Sequence, residues 1–329
     1  MTLDTTFEKN EIVPWVEKYR PKTFNDIIGQ EDVIKKLREI LIKKEMPHLL
    51  FHGSPGTGKT STICAFAREL FKHQFKERFT ILNASDDRGI KVVRDTIIKL
   101  SQQTINDNDS SIPSFRIIVL DEADDMTSEA QSALRKVLET TSDTTLFCFI
   151  CNYTDKILEP IKSRCSSFCF NALDHNIMKK QLMDIAKNEN IKISSKHVDR
   201  IIELSHGDVR TAIKSIQNLK YYDNPTLDNV NDLFACVDTK TVNEIMDVIK
   251  NGTLENIMEL TNKLKRNSYS SKFILECLQK QILKSKWKSK ATLCYKIAMT
   301  DAELSKGGNE YLNILSLLVS LNHLKEIHK

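Results

Sequence analysis

HLLFHGSPGTGKTSTICAFARELF, residues 48–71, decides the fold. An apolar run, a glycine-rich turn and a helical pattern follow one another without a gap. Within them GSPGTGKT, Gly53 to Thr60, fits the eight-residue phosphate-binding loop. Gly53, Gly56 and Gly58 let backbone N–H groups approach phosphate oxygens closely, and Ser54, Pro55 and Thr57 complete the cradle, with Ser61 following it. Lys59 would reach the β and γ phosphates and the Thr60 hydroxyl would hold magnesium, while the positive end of the new helix adds to the attraction. A chance match is disfavoured because both the preceding strand and the following helix are present.

Working outward, residues 47–170 alternate short β-like runs with helical ones, the pattern of a parallel sheet flanked by helices. The strand candidates are HLLFH, FTILN, FRIIVLDE, TLFCFICN and SSFCF. After Phe170 the strand signal stops, and the rest reads as helices. The expected organisation is a flexible start (1–12), an α/β P-loop unit (13–170), a small helical lid (171–232) and a second helical unit (233–329). The chain has 329 residues, enough for two or three domains, and its 40% hydrophobic and 28% charged content is that of a globular protein. No apolar run approaches bilayer-spanning length and MTLDTTFEKN is unlike a signal peptide, so an intracellular location is expected. Eight scattered cysteines, several inside strand-like runs, read as reduced core residues; a zinc site from Cys148/Cys151 and Cys165/Cys169 is disfavoured by that placement. A net charge of +4 does not by itself announce nucleic acid.

Ligands of open parallel sheets sit beyond the carboxyl ends of the strands. Three further strand candidates end in polar residues there: Asn83, Asp121 with Glu122, and Asn152. Beside a P-loop this suggests a site built to hydrolyse. Asp121 would support the magnesium shell, Glu122 would orient and polarise the attacking water, and Asn152 would bond that water or the γ phosphate. Asn152 reads equally as a strand-end cap, Arg164 in IKSRCSSF as a surface arginine, and Arg210 in SHGDVR as a helix-start ion pair. The letters DEAD invite a helicase reading, but no paired-arginine motif follows, and no base-reading motif of a GTPase is present.

Taken together and in order, VPWVEKYRPKTFNDIIGQ, HLLFHGSPGTGKTST, LNASDDRGI, VLDEADDMTSEAQSALRKVLE, FICN, SRC and GDVR resemble the small subunits of replication factor C, clamp loaders of the AAA+ class. The resemblance spans residues 13 to about 220. Within the family, FCFICNY and NASDDRGI most resemble the subunit called 5 in human and 3 in yeast naming. It implies a nuclear ATPase using ATP and Mg2+ in a hetero-pentamer with other replication factor C subunits, opening a sliding clamp and placing it on primer-template DNA in replication and repair. It further implies an AAA+ sheet, a lid and a helical collar. Arg164 would be an arginine finger for a neighbour's site, Arg210 a lid arginine sensing the γ phosphate, and Asn83 a restraint on Glu122 until DNA binds. Val13, Tyr19, Arg20 and Pro21 match the block lining the adenine pocket. Arg88, Lys91 and Arg94 would make sequence-independent DNA contacts, the alternative being a solvated helix face. Gln131 and Arg135 match a segment near the ring's inner surface. Two positions depart from the pattern: Ser54 stands where proline is usual, and Thr211 where a second basic residue is common. Two competing readings are a subunit that binds ATP only as structural glue, lending Arg164 to its neighbour, and another AAA+ replication ATPase such as an initiator or branch-migration motor.

Overall fold

The fold is described from a computed structural model, covering residues 13–43, 46–84, 97, 99–100, 112–141, 144–237, 239–285, 287 and 290–326. The expected flexible start (1–12) and Arg88, Lys91 and Arg94 lie outside the described residues. The chain divides into two compact units, Met1–Lys220 and Tyr221–Lys329.

The first unit is organised by a five-stranded sheet formed from the five expected runs: β1 (His48–Gly53), β2 (Phe79–Asn83), β3 (Arg116–Asp121), β4 (Thr145–Cys151) and β5 (Cys165–Phe170). The order is β2-β3-β4-β1-β5 and every pairing is parallel. Successive side chains leave a strand on opposite faces, so a run that is apolar throughout must be covered on both. Strand β4 shows this directly. Leu146, Cys148 and Ile150 join a core containing Ile63, Phe66 and Leu37. Phe147, Phe149 and Cys151 face the other way, into a core containing Leu134, Val137 and Ile161. Each such fully buried side chain contributes roughly 1.5–3 kcal/mol. Cys148 and Cys151 thus occupy different cores, which is why LFCFIC is strand and not half of a metal site.

Helices α1 (Trp15–Lys18), α2 (Glu31–Lys43), α3 (Lys59–Phe71), α4 (Ser128–Thr140) and α5 (Glu159–Lys162) belong to this α/β part. Helices α6 (His175–Asn188), α7 (Ser195–Leu204) and α8 (Val209–Leu219) follow. Their starts are set by side chains that accept orphan N–H groups: Thr127 from Ala130, Asp174 from Asn176, and Asp208 from Arg210 and Thr211. These three helices belong to the first unit.

The second unit is helical: α9 (Leu227–Leu233), α10 (Thr239–Asn251), α11 (Leu254–Arg266), α12 (Ser271–Lys284), α13 (Lys290–Ser305) and α14 (Glu310–Glu326). Its core gathers Ile249, Leu260, Leu278, Ile282, Leu318 and Leu321. Asn322 on α14 donates to the carbonyls of Ile249 (3.0 Å) and Gly252 (3.2 Å), closing off the end of α10. Helix α9 falls on this side of the division, which comes after Lys220, not at the expected 232. Just beyond it, the Ala235 carbonyl accepts from Ser270 at the start of α12. No helix among the described residues is long and apolar enough to cross a membrane.

One glycine cannot be replaced. Gly53 has φ +144° and a Cβ there would lie 2.1 Å from the Phe170 carbonyl oxygen of the neighbouring strand. Gly53→Ala is therefore expected to destabilise the first unit by more than about 1 kcal/mol, read as a lowered urea midpoint by circular dichroism.

Candidate nucleotide site

Strand β1 delivers the loop, and β4 and β3, on its near side, deliver the residues that face it. Gly58, at φ +95°, caps α3 without a side chain, which leaves the first N–H groups of that helix turned toward the loop's mouth. The loop is braced internally, because the Thr57 hydroxyl donates to the Ser54 carbonyl at 2.8 Å and the Thr62 hydroxyl to Gly58 at 2.9 Å. Ser54 is exposed and takes part through its carbonyl, which explains why serine can stand where proline is usual.

Lys59 is 7% exposed, and its ammonium donates to the carbonyls of Gly53 (2.7 Å) and Ser54 (2.9 Å) and to Asn152 Oδ1 (3.0 Å). Burial pushes its pKa below the ordinary lysine value, against the pull of the Asp121 and Cys151 charges; the Arg210 guanidinium pushes the same way as burial. The Thr60 hydroxyl donates to Asp121 Oδ2 at 3.0 Å, and Asp121 Oδ1 accepts the Glu122 N–H at 3.1 Å. Glu122 is exposed and in the left-handed region at φ +56°, so the chain swings its carboxylate off the strand immediately after Asp121. Asn83 is the register partner of Asp121, at the same strand-end level.

A cleft adjoins the loop. Of the expected residues, Tyr19, Arg20, Pro21, Gly56, Thr57, Gly58, Ser61 and Arg210 line it. Val13 does not: it precedes the start of α1 and is 47% exposed, and Val16, on the helix itself, lines the cleft instead. Ile27, Ile28, Leu173 and Ile213 supply an apolar wall suited to a flat aromatic base.

The helix bearing Tyr19 is held by the later helices. Trp15, buried, donates its N–H to Gln217 Oε1 at 3.1 Å; the Tyr19 hydroxyl and the Lys18 ammonium both donate to Glu189, at 2.6 and 2.5 Å. Burial and Glu189 together push the Tyr19 pKa up to about 12. At Glu189 burial opposes ionisation, but the bonds and charge from Lys18 and Tyr19 outweigh it and hold its carboxyl below the ordinary value. Gly56 lies so close to Asp208 that a Cβ would come 1.9 Å from its Oδ1, so the loop also abuts the cap of α8, one residue pair from Arg210.

Arg164 lies outside this cleft, donating Nη2 to Glu139 Oε1 at 2.6 Å and Nη1 to the Pro160 carbonyl at 2.8 Å. Gln131 is buried: its amide donates to the Lys156 carbonyl and accepts the Leu158 N–H, holding the loop after β4. Arg135 pairs with Glu139 at 3.3 Å. Residues that the motifs did not single out also build the site. Gln30, 4% exposed, donates to the carbonyls of Asn171 and Thr57 and so steadies the loop from outside. Asp124, 8% exposed, accepts the N–H groups of Asn152 and Tyr153, both at 3.2 Å. Gln30 ends DIIGQ and Asp124 closes DEAD, so the letters were in view, but their partners are backbone groups far along the chain.

Residues 49–173 match the family model of the ATPase family associated with various cellular activities, and 237–320 that of the replication factor C C-terminal domain. The AAA match gives the chain an ATPase domain. Replication factor C subunit 4 of Homo sapiens is 38% identical over 95% of this chain and 89% of its own. Replication factor C subunit 2 of Schizosaccharomyces pombe is 38% identical over 97% and 96%. Among solved structures, the Thermotoga maritima RuvB Holliday junction branch migration motor superposes with a TM-score of 0.50 at 17% identity, covering 75% of this chain and 85% of that one, a likeness of fold alone. With identity at that level spread over almost its whole length, the chain belongs to the replication factor C small-subunit family.

Proposed function

We propose that this chain is an ATP-hydrolysing subunit of a hetero-pentameric clamp loader, which opens a sliding clamp and places it on primer-template DNA in the nucleus. The observation that carries the ATPase half is the convergence of Lys59, Asn152, Thr60 and Asp121 within 3.0 Å contacts at the end of the sheet. An unprimed fold has no reason to bury a lysine there against carbonyls; a triphosphate would replace those carbonyls as its partner. The Thr60 hydroxyl and the Asp121 carboxylate, facing each other, are the hard oxygen donors that Mg2+ takes alongside phosphate and water. When bound, Mg2+ would supply charge neutralisation on the phosphates, with Thr60 and Asp121 as the residues that would hold it.

The chain's own residues do the rest. Lys59 and the free N–H groups of α3 hold the phosphates, and the wall of Tyr19, Pro21, Ile27 and Ile28 holds the base. Glu122 accepts a hydrogen bond from the attacking water and aligns it with the γ phosphorus, and Asn152 keeps the γ phosphate in line. Asn83 would restrain Glu122, a reading supported by its register position opposite Asp121. Arg210 reaches the cleft from the start of α8, where closure of the helices over the nucleotide would bring it to the γ phosphate.

Within the family, two short blocks favour the subunit called 5 in human and 3 in yeast naming. The near-full-length identities lie with proteins named subunit 4 in human and subunit 2 in fission yeast, and an alignment of that length outweighs two blocks. We therefore place the chain with the latter pair. Co-expression with the other subunits of its own organism tests the whole reading. The expected result is a stable complex that retains a ring-shaped clamp on primed circular DNA only when ATP is supplied. A chain that joins no such complex, or a complex that retains the clamp equally without ATP, overturns it.

A further inference from the structure

We propose that Asp124 is a positioning residue for ATP hydrolysis: its buried carboxylate ties the turn carrying Glu122 to the end of β4 and so fixes where Asn152 stands against Lys59. The proposal rests on the ATPase reading of this site.

The pairing of β4 stops at its neighbours' ends. Its last partner on β1 is His52, opposite Cys151, and its last on β3 is Leu120, opposite Phe149. The N–H groups of Asn152 and Tyr153 lie beyond that ladder, so the acceptor that fixes their direction has to come from outside the sheet. Asp124 Oδ2 takes both, each at 3.2 Å, from a residue only 8% exposed. Asn152, held by its backbone in this way, directs Oδ1 to the Lys59 ammonium at 3.0 Å.

The other end of the tie matters equally. Asp124 sits in the short 3-10 turn Ala123–Asp125, whose preceding residue is Glu122 in its left-handed conformation. One carboxylate therefore spans the two residues that flank the attacking water, Glu122 on the β3 side and Asn152 on the β4 side. Its charge also favours the charged form of Lys59. A single oxygen takes both N–H groups, so what the role requires is one acceptor at that reach, which a shorter side chain does not supply. Reacting groups misplaced by about 1 Å lose about 10²-fold in rate without losing the ligand, so the signature of such a residue lies in turnover and not in affinity.

The test uses the assembled complex. Asp124→Ala is expected to lower kcat by about tenfold or more while the Kd for a fluorescent ATP analogue stays within about threefold. Asp124→Asn keeps an acceptor oxygen for both N–H groups and is expected to recover most of the loss. In an Asn152→Ala background, Asp124→Ala is expected to cost less than in the wild-type chain, because the share acting through the Asn152 side chain is already gone while the share acting through Glu122 remains. A merely structural role would instead lower the melting temperature and multiply in full with Asn152→Ala. Should Asp124→Ala fail to fold, Asp124→Ser, whose hydroxyl is too short to reach both donors, carries the same comparison. The proposal is overturned by a kcat within about twofold of wild type, by equal losses in affinity and turnover, or by full multiplicativity. Glu122→Gln serves as the control: if it too leaves turnover intact, the ATPase reading has failed and not the placement of Asp124.

Discussion

Arg164→Ala is expected to lower ATP turnover at the adjoining subunit's site by about 10³-fold or more, and to leave the ATP affinity of its own chain unchanged. The expectation comes from where the guanidinium stands. It follows α5 and leads into β5, away from the cleft, and both of its bonds are to the chain's own surface: Glu139 Oε1 at 2.6 Å and the Pro160 carbonyl at 2.8 Å. The Arg164 side chain is 33% exposed and that of Glu139 is 42% exposed, so the ion pair is screened by water and easily exchanged. Glu139 is shared: Arg135 bonds it as well, and the two arginines hold its carboxyl below the ordinary value, Arg135 through its hydrogen bond more than Arg164. A γ phosphate presented by an adjoining subunit offers the guanidinium two oxygens and more charge than a shared carboxylate does. Arg164→Lys should recover little, because an ammonium cannot reproduce the fork. The measurement is single-turnover hydrolysis by the assembly, beside nucleotide binding by the isolated chain. Turnover within about threefold of wild type, or a matching loss of binding by the isolated chain, would remove the role in trans.

The contrast between Arg164 and the P-loop shows what could be read without coordinates. The inner strands β1, β3 and β4 were visible because their middles are apolar on both faces, a pattern that a sheet covered on both faces accommodates, and β4 places alternate residues in two cores; the edge strands β2 and β5 are mixed and partly exposed. Lys59, Thr60 and Asp121 were visible because their roles follow from local spacing. Asp124 was hidden because what it does depends on backbone groups 28 and 29 residues away. Glu189 and Gln217 were hidden more deeply, since they grip the Trp15–Tyr19 segment across 170 and 202 residues and nothing in their own neighbourhoods marks them. In the block that contains Val13, the helix start after Pro14 leaves Val13 exposed and sets Val16 on the cleft, a distinction the letters alone do not carry.

Glu122→Gln is expected to cut turnover by about 10²-fold or more while ATP still binds, leaving the complex arrested with clamp and nucleotide in place. The two acids of IVLDE differ in what holds them. Asp121 accepts a hydrogen bond on each oxygen, from the Thr60 hydroxyl at 3.0 Å and the Glu122 N–H at 3.1 Å, which directs its carboxylate to the loop. Glu122 is exposed, and its left-handed backbone turns it away from the line of β3. Glutamine adopts that backbone as readily as glutamate and fills the same space, so the substitution removes charge and basicity with little else. Binding survives because Lys59, the loop N–H groups and the apolar wall are untouched. Asp121→Asn should behave differently, weakening the Mg2+ dependence of binding as well as the rate, since it removes a charged oxygen from the pair with Thr60. A titration of ATP and Mg2+ against each variant separates them. Equal turnover in Glu122→Gln and wild type would assign this chain's nucleotide a structural part and leave the chemistry to the neighbouring sites.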